Sequence, residues 1–579
     1  MDTSRALAEK FNDVEMFRAC EQCGSCSSAC PITGVDGFNI RRIIRHIELD
    51  LVNEIADTPF PWACTTCGRC ESVCPNGITI LAIIRPLRSV SPEEFVPDCP
   101  PCTRACPAGI DIPGYIRLIA EGKLDEACAL IMEKVPFPGI LGRVCMHPCE
   151  DACRRTEVFN QPISICALKR YAADKAGNVF ERASKIKEST GHKVAVIGAG
   201  PAGLTAAFYL RKKGHGVTVF EALPEPGGMM RFGIPDYRLP KDILRAEIKE
   251  IEDIGVEIRT NTKAHSIQRL FEEGFNAVFL AIGAHQGLRI GVDGEGSPGV
   301  IEGVTFLRDV SLGKKVEVGS RVAVIGGGNA AIDSARTALR LGAEEVTVIY
   351  RRTQAEMPAS PEEIDGATAE GVEIHYLSAP SRIVRQDGKV ELECIRMKLG
   401  AVDASGRRRP EPIKDTEFTM GFDTIITAIG QRPEIPSQFD LAVGREDVVQ
   451  ADPNTLATSR EGVFAGGDLI SGPASVIEAI AAGRKAASSI DKFLGGDGDI
   501  EESIAVRPDT EAYNGKRESG FADLKRVETP AIPLSERHDG FTEVDLCFDD
   551  DHAISEAKRC LQCDLELNLA NKAFTGNRT

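Results

Sequence analysis

Hydrophobic and polar positions follow different patterns in successive parts of the chain. The isoleucines between residues 40 and 47 recur at the spacing of one helix face, which predicts a helix there. Residues 93–188 continue with helical and loop-like sequence. From 192 to about 495, short apolar runs alternate with glycine loops and amphipathic stretches, which predicts the strand–loop–helix units of a parallel α/β sheet. The tail after 495 is polar, with scattered prolines, until a helix-like segment over 554–567.

The α/β region contains an internal repeat. A strand, glycine turn, helix and second strand begin at Val194, and the same order begins again at Val322 with one additional residue in the later helix–strand loop. The repeat indicates two nucleotide-binding units, one inserted in the other. The predicted fold is multidomain: two α-helical cysteine-bearing domains precede tandem Rossmann-like α/β units. The predicted boundaries are 1–92 and 93–188 for the helical domains, 189–315 and 421–495 for the first nucleotide unit, 316–420 for the second, and 496–579 for the tail.

Size, charge and the termini narrow the possible classes of protein. A chain of 579 residues should hold several domains, because single cores rarely exceed ~250–300 residues. The formal net charge of −18 offers no basic face for phosphates, so nucleic acid is not an expected partner. No stretch approaches the ~20 apolar residues of a membrane span, and the N-terminus lacks the pattern of a signal peptide. We therefore expect a cytoplasmic protein without direct membrane insertion.

Cysteine usage is the most informative part of the composition. The chain has 20 cysteines, and only Cys128, Cys394 and Cys547 lie outside tight groups. Clustering of this kind in a large, non-secreted chain favours metal binding over disulfides. Cys128 lies on an apolar helix face and Cys394 in an alternating strand, so both are expected to be core residues.

Two cysteine runs near the N-terminus share the pattern C-x2-C-x2-C-x3-C-P. Three thiolates on such a loop wrap one [4Fe–4S] cluster, and the fourth, before proline, reaches the other cluster. Zinc is the alternative, but zinc sites normally use separated cysteine pairs. The predicted ligands are Cys20, Cys23, Cys26 and Cys74 for the first cluster and Cys64, Cys67, Cys70 and Cys30 for the second.

Both halves of the repeat carry a nucleotide fingerprint. Gly198, Gly200 and Gly203 follow a strand and open a helix, which lets a pyrophosphate approach the helix N-terminus. Glu221 ends the next strand, where an acid accepts hydrogen bonds from a ribose. The second fingerprint comprises Gly326, Gly328, Asn329 and Ala331.

The two fingerprints differ at the position of the acid. Tyr350 stands where Glu221 stands in the first, and Arg351 and Arg352 follow it. Arginine pairs bidentately with a 2′-phosphate, so NADP(H) is favoured over NAD(H) at the second site. NAD(H) stays possible, since the arginines could be ordinary surface charges.

Two resemblances to known families add to these inferences. Residues 10–90, with their long gap between the cysteine runs, resemble the helical two-cluster module of heterodisulfide reductase and of related iron–sulfur proteins. Residues 99–171, with CTRACP and GRVCMHPCEDACRR, resemble the cluster domain shared by the small subunit of NADPH-dependent glutamate synthase, dihydropyrimidine dehydrogenase and the large subunit of NADH-dependent ferredoxin:NADP oxidoreductase.

The second resemblance implies a permuted arrangement of ligands. In that family an RCLxC segment precedes CxxxCP, whereas here KRCLQCD lies near the other end of the chain. The resemblance then implies a third cluster and a fourth, with the tail folding back to the helical domain. The implied ligands are Cys560, Cys563, Cys102 and Cys153 for the third and Cys106, Cys145, Cys149 and Cys166 for the fourth. The alternative is that Cys560 and Cys563 form a separate metal site or bind a partner; Cys99 has no assigned role.

The same family implies FAD at the first nucleotide site. Gly228 leads into the segment MMRFGIPDYRLP, and Gly467 and Asp468 belong to GVFAGGDL, which resembles the turn that closes over a flavin. The implied cofactors are FAD, NADP(H) and about four [4Fe–4S] clusters. Hydride transfer between nicotinamide and flavin needs no acid or base, so no side chain is assigned a catalytic role.

These features predict an NAD(P)H-dependent iron–sulfur flavoprotein. It would pass electrons between the nucleotide and a protein acceptor, either a heterodisulfide-reductase-like subunit or ferredoxin, within a hetero-oligomer. The alternative is a component of an electron-bifurcating NAD(P)H/ferredoxin transhydrogenase, which the sequence does not distinguish. A redox sensor or scaffold with vestigial nucleotide sites is disfavoured because both fingerprints are intact.

Overall fold

The computed structural model describes residues 18–49, 51–183, 185–386, 389–403, 405–444, 447–508, 510–511 and 513–575. Parts of two predicted domains, residues 1–17 and 576–579, therefore lie outside the described residues.

The N-terminal region is a set of short helices between cysteine loops. They are α1 (Ser25–Ala29), α2 (Ile40–Glu48), α3 (Asn53–Ala56), α4 (Phe60–Ala63), α5 (Arg69–Ser72) and α6 (Leu81–Arg88). Asn39 caps α2, since its Oδ1 accepts a hydrogen bond from the Arg42 N–H at 3.2 Å. Ile40, Ile43 and Ile44 are buried along one face of this helix, as its spacing predicts. They belong to an apolar core whose members, among the described residues, all come from this N-terminal region.

The second helical region shares its core with the first α/β unit. Its helices are α7 (Pro101–Ala105), α8 (Ile112–Ala120), α9 (Leu124–Met132), α10 (Pro138–Val144), α11 (Pro148–Asp151), α12 (Ile165–Lys175) and α13 (Phe180–Ala183). One continuous apolar cluster joins them to the first sheet and to part of the tail. Between the two domains, the Glu247 carboxylate accepts the N–H groups of Gly139 (2.6 Å) and Ile140 (3.1 Å) at the start of α10.

Two five-stranded parallel sheets form the α/β region, which confirms the predicted fold class. The strands are β1 (Lys193–Ile197), β2 (Gly216–Phe220), β3 (Glu257–Arg259), β4 (Ala277–Leu280), β5 (Gln286–Gly287), β6 (Val300–Glu302), β7 (Arg321–Ile325), β8 (Glu345–Ile349), β9 (Glu373–His375), β10 (Ser378–Gln386), β11 (Lys389–Val402), β12 (Arg408–Pro412), β13 (Phe418–Phe422), β14 (Thr424–Thr427), β15 (Gln431–Arg432) and β16 (Val463–Ala465). The first sheet has the order β16-β4-β1-β2-β3 and the second β6-β14-β7-β8-β9. Strands β10 to β13 form an antiparallel sheet, and β5 pairs with β15.

Helices cover both parallel sheets. They are α14 (Pro201–Lys212), α15 (Met229–Phe232), α16 (Lys241–Asp253), α17 (Ile267–Glu272), α18 (Gly303–Ser311), α19 (Asn329–Arg340), α20 (Pro361–Ala369), α21 (Asp468–Ser471) and α22 (Val476–Phe493). Single 3-10 turns cover Val35–Gly37, Glu93–Phe95, Arg154–Glu157, Gln354–Glu356, Ser437–Phe439, Phe521–Asp523 and Leu534–Glu536.

The second α/β unit is wider than the boundaries 316 and 420 allow. Strand β6 pairs in parallel with β14, and β14 pairs in parallel with β7, so 300–302 and 424–427 belong to the second sheet. The repeat begins at Val322 and so gives no sign of β6. This strand has three half-buried residues at the edge of the sheet, which is too short a segment for its pattern to predict a strand.

The tail crosses the molecule and ends in two helices, α23 (Asp550–Ala557) and α24 (Cys563–Thr575). Helix α23 packs against α8 and α24 against α6. Arg85 on α6 donates two hydrogen bonds to the buried Glu566 carboxylate, at 2.9 and 3.0 Å. No helix among the described residues is long and apolar enough to cross a membrane.

Candidate functional site

A cavity of about 430 Å³ lies at the carboxyl end of the first sheet. It is lined by six residues of the first fingerprint and its companion turns, namely Gly198, Gly200, Glu221, Gly228, Gly467 and Asp468. Gly203 lies within α14 behind them. His285 and Arg308 also line this cavity, although neither lies in a recognisable motif.

Close backbone approach explains the glycines of this cavity. Gly198 has φ +105°, and a Cβ there would lie 2.4 Å from the Ala281 carbonyl oxygen. A Cβ at Gly228 would lie 2.7 Å from the Cα of Gly200, so the two loops touch. The loops leave room for a dinucleotide against the N-terminus of α14, as the fingerprint requires.

Two carboxylates border the cavity and have different surroundings. The Oε2 of Glu221 accepts the Ala199 N–H at 2.9 Å and its Oε1 the Leu223 N–H at 2.8 Å, so this residue fixes the glycine turn. Burial raises its pKa above the usual range. Asp468 is at the first position of α21, and burial raises its pKa to about 6, although the Ala474 N–H acts in the opposite direction. Both groups can accept hydrogen bonds from hydroxyls of a bound ligand.

The second fingerprint forms the turn between β7 and α19. A Cβ at Gly326 would lie 2.2 Å from the Ala428 carbonyl oxygen, so the strand and crossover approach closely. Asn329 holds the neighbouring loop, since its Oδ1 accepts the Ser360 N–H at 3.1 Å. Its Nδ2 lies 3.2 Å from the sulfur of Met146, so this turn contacts the second helical region. Gly328 precedes α19 and Ala331 lies buried within it.

The two arginines after β8 are not equivalent. Tyr350 packs beneath Gly327, and its hydroxyl donates to the Glu356 carbonyl at 2.6 Å. Arg352 is buried, and it donates to the Arg408 carbonyl at 2.7 Å and to Asp403 at 2.9 Å. Arg351 is exposed and has no hydrogen bond or ion pair to the part of the chain that the structure describes. Partial burial and the charges of Arg352 and Arg407 lower its pKa.

Three cavities each gather one complete set of predicted cysteine ligands, and a fourth cavity gathers three of the four cysteines of its set. The first is lined by Cys20, Cys23, Cys26 and Cys74, the second by Cys30, Cys64, Cys67 and Cys70, the third by Cys102, Cys153, Cys560 and Cys563, and the fourth by Cys106, Cys145 and Cys149. We call them quartets one to four. Among the described residues, no three His, Cys, Asp or Glu side chains converge on a position for a single metal ion. Cysteines arranged around a void suit a cubane cluster, which is larger than one zinc ion.

The cysteine turns share a backbone feature that the sequence does not reveal. In three C-x-x-C turns, the residue before the second cysteine has φ +54°. These residues are Gln22, Thr66 and Gln562. This left-handed conformation is uncommon for such residues. It directs the N–H of Thr66 to the Cys64 sulfur at 3.4 Å and that of Gln562 to the Cys560 sulfur at 3.5 Å. The tail turn therefore has the geometry of the N-terminal ones.

The tail turn is held against the second helical region by an ion pair and several hydrogen bonds. Arg117 on α8 donates to Asp564 at 2.8 Å and to Gln562 at 2.5 Å. Arg559 donates to the carbonyls of Gln161 at 2.8 Å and Pro162 at 3.2 Å. These contacts bring Cys560 and Cys563 to the loop that carries Cys153.

Quartet four contains three cysteines rather than four at its cavity. Cys166 does not line it, and its sulfur lies 3.3 Å from the Leu141 carbonyl oxygen. The buried Lys169 lines the cavity instead. The assignment of Cys166 as a ligand stays a prediction. Cys99 lines none of the four cavities, and its N–H donates to Asp98.

The first nucleotide cavity and the four cysteine cavities follow one another in a single series, because neighbouring cavities are lined by the same or adjacent residues. Ile477 lines quartet four, and its neighbours Val476 and Ala479 on α22 line the first nucleotide cavity. Ile112 and Ile165 line both quartets four and three. Quartets three and two meet where Cys563 packs in the same apolar cluster as Cys67. Quartets two and one interleave, since each run gives its fourth cysteine to the other.

Comparisons with known proteins agree with this division of the chain. Residues 192–483 match the family described as pyridine nucleotide-disulphide oxidoreductase. Residues 96–179 match dihydropyrimidine dehydrogenase domain II with a 4Fe-4S cluster, and 16–78 match the 4Fe-4S dicluster domain. Cys560 and Cys563 lie outside all three matches.

Several known proteins align with most of the chain. Subunit beta of an NADP(+)-dependent formate dehydrogenase from Moorella thermoacetica is 43% identical over 502 residues, which cover 80% of this chain and 70% of the relative. Subunit beta of an NADPH-Fe(3+) oxidoreductase from Geobacter sulfurreducens is 39% identical over 508 residues, which cover 80% of this chain and 75% of the relative. The small chain of NADPH glutamate synthase from Escherichia coli is 36% identical over 413 residues, covering 66% and 86%.

Proposed function

Because the chain belongs to the pyridine nucleotide-disulphide oxidoreductase family, in its glutamate synthase small-chain-like branch, we propose that it is the NADP(H)-linked electron-transfer subunit of a larger redox complex. It is an iron–sulfur flavoprotein oxidoreductase that transfers electrons between NAD(P)H and acceptors. The observation that carries the proposal is the single order of cavities, from the first nucleotide site through quartets four, three, two and one.

The residues present fit the cofactors that the family uses. FAD would be held by Gly198, Gly200, Glu221, Gly228, Gly467 and Asp468. NADP(H) would be held by Gly326, Gly328, Asn329 and Arg351. The cysteines of the four quartets would hold four [4Fe–4S] clusters. When bound, FAD exchanges a hydride with the nicotinamide and the clusters carry single electrons.

The protein's own contribution is binding, orientation and exclusion of water. Glu221 and the glycine loops fix the dinucleotide turn, and α22 contributes lining residues both to the first cavity and to quartet four. Isoleucine side chains line both quartet three and quartet four. These apolar side chains limit the access of water to the space between the two cavities. No side chain has to gain or lose a proton along this path.

The proposed acceptor is a protein partner at the N-terminal module. Cys23 of quartet one is exposed, so this end of the series of cavities reaches the surface. Two of the relatives are named subunit beta, which supports a hetero-oligomer. We propose as partner a catalytic subunit that holds the terminal substrate, or a ferredoxin, in the cytoplasm.

Anaerobic reduction by the two nucleotides tests this function. Purified protein is mixed with NADPH or NADH, and flavin bleaching is followed by absorbance. We expect fast bleaching with NADPH and slower bleaching with NADH. Equal rates would contradict the NADP(H) preference, and no bleaching with either would contradict the function itself. Purification from the native host then identifies the co-eluting partner.

A further inference from the structure

A buried arginine lies at the junction between quartets two and three. Arg155 belongs to the 3-10 turn Arg154–Glu157, which directly follows Cys153 of quartet three. Its side chain is 1% exposed and is among the largest fully buried side chains of the protein. The guanidinium stays protonated in proteins, so this is a buried positive charge.

The hydrogen bonds of Arg155 leave most of its donors unused. Its Nη2 donates to the carbonyl oxygens of Phe521 (3.0 Å), Leu524 (3.0 Å) and Ala522 (3.3 Å). Its Nε and Nη1 are buried and have no partner among the described residues. Buried N–H groups without an acceptor are costly, and the other recorded contact of the guanidinium is a cation–π contact with the Phe521 ring, at 5.0 Å from the ring centroid.

Within the part of the chain that the structure describes, no carboxylate pairs with this cation. The ionisable groups whose charges act most strongly on the pKa of Arg155 include Arg559, Cys67, Cys153 and Glu556. Glu556 already forms an ion pair with Arg559 and accepts the N–H groups of Ser164 and Val527. The other two groups are the thiols of Cys67 and Cys153, one from each of the two quartets.

The surroundings of Arg155 belong to both quartets. Cys67 of quartet two packs with Val158, Ala522 and Leu561 in one dry cluster, which Cys563 of quartet three also contacts. Ala522 provides one of the carbonyls that hold Arg155. Three distant segments, at 153–158, 521–524 and 561–563, thus meet around Arg155. The buried Arg559 lies beside it and donates to the same Leu524 carbonyl at 3.1 Å, but Arg559 is paired with Glu556.

We propose that Arg155 compensates the negative charge of the clusters in quartets two and three and raises their reduction potentials. The inference rests on the proposed function. Each cluster brings four thiolates, and reduction adds one more negative charge, which a buried cation stabilises. Net charge and hydrogen bonds to sulfur are the main determinants of cluster potentials. One electron passes between the two clusters, and Arg155 neither gains nor loses a proton.

Redox titration of full-length variants tests the proposal. Arg155→Met removes the charge and keeps an unbranched buried chain, and Arg155→Lys keeps the charge with fewer donors. Arg269→Met, at an exposed arginine on α17 with 79% side-chain exposure, is the matched control. Potentials are read by EPR during reductive titration, and iron content is measured on each protein.

We expect Arg155→Met to lower the midpoint potential of at least one cluster by about 59 mV or more, a tenfold change for one electron. Arg155→Lys should retain most of the wild-type potential, and the Arg269→Met potentials should equal those of wild type. Full iron content with unchanged potentials in Arg155→Met overturns the inference and leaves the proposed function intact. Wild-type protein without clusters would instead contradict the proposed function.

A variant that does not assemble still gives a decision. If Arg155→Met loses iron while Arg155→Lys retains it, the positive charge is required at the junction, as proposed. If both lose iron, Arg155 is needed for its carbonyl contacts and not for its charge, and the inference is wrong.

Discussion

Arg351 and Arg352 are adjacent in the chain, yet their side chains have opposite surroundings. Arg352 is buried and ties the turn between β11 and β12 to the end of β8 through Asp403 and the Arg408 carbonyl. Arg351 is left exposed beside this turn, where the charge of Arg407 also acts on it. We therefore propose that Arg351 and Arg407 recognise the 2′-phosphate and that Arg352 has a supporting role.

The first prediction concerns this pair. Arg351→Ala and Arg407→Ala should each weaken NADP+ binding by about 1.5–3 kcal/mol, at least tenfold in Kd, because a charge-assisted hydrogen bond to phosphate is lost. NAD+ binding should not change. Calorimetry on the purified protein with both nucleotides measures the effect. Lys398→Ala, at an exposed lysine of β11, is the control. A parallel loss of NAD+ affinity would show that the arginines shape the site generally.

Residue types at the cysteine turns were predictable, but their conformations were not. The C-x-x-C spacing identifies the N-terminal ligands because three thiolates on one loop fit a cubane. The left-handed residues Gln22, Thr66 and Gln562 carry no such signal, since glutamine and threonine rarely adopt this conformation. Their strain is imposed by the surrounding turn and becomes visible only in the structure.

The tail is the element whose position the local sequence pattern predicts least. Its spacing indicates a helix over 554–567, whereas the structure has two helices with the cysteine turn between them. The resemblance to the glutamate synthase family placed Cys560 and Cys563 near Cys102 and Cys153, and all four line one cavity. The long-range pairs Arg85–Glu566 and Arg117–Asp564 that hold the tail have no local sequence signature.

The second prediction belongs to this element. The double variant Cys560→Ser/Cys563→Ser should lose about four iron atoms per chain, because two of the four thiolates of one cluster are removed. Colorimetric iron analysis and EPR measure the loss. Cys547→Ser, at a half-buried cysteine that lines none of the four cavities, should retain full iron. Full iron content in the double variant would mean that the tail cysteines are not cluster ligands.

At the scale of the whole molecule, the sequence predicted that one nucleotide unit is inserted in the other. It did not predict the residues at which the inserted unit begins and ends. The repeat at Val194 and Val322 comes from strongly patterned strands and glycine turns, whereas β6 is recognised only by its pairing with β14. The order of the cavities depends on packing between domains, such as Ile477 of α22 against quartet four. A linear sequence pattern contains no information of that kind.

The third prediction is the total metal content. Four clusters require about 16 iron atoms and as many acid-labile sulfides per chain, in addition to one FAD. Chemical analysis of anaerobically purified protein measures these numbers. A value of about 12 would indicate that quartet four, with Cys166 outside its cavity, does not assemble a complete cluster.

The position of Cys560 and Cys563 also has a consequence for biosynthesis. Ribosomes add about 5–20 residues per second, so the 410 residues from Arg154 to Cys563 take roughly 20–80 s to translate. During that interval quartets one and two can mature on their own core, while quartet three lacks half of its ligands. Under the proposed function, a nascent or prematurely released chain therefore lacks a complete cluster between its flavin half and its surface-exposed module.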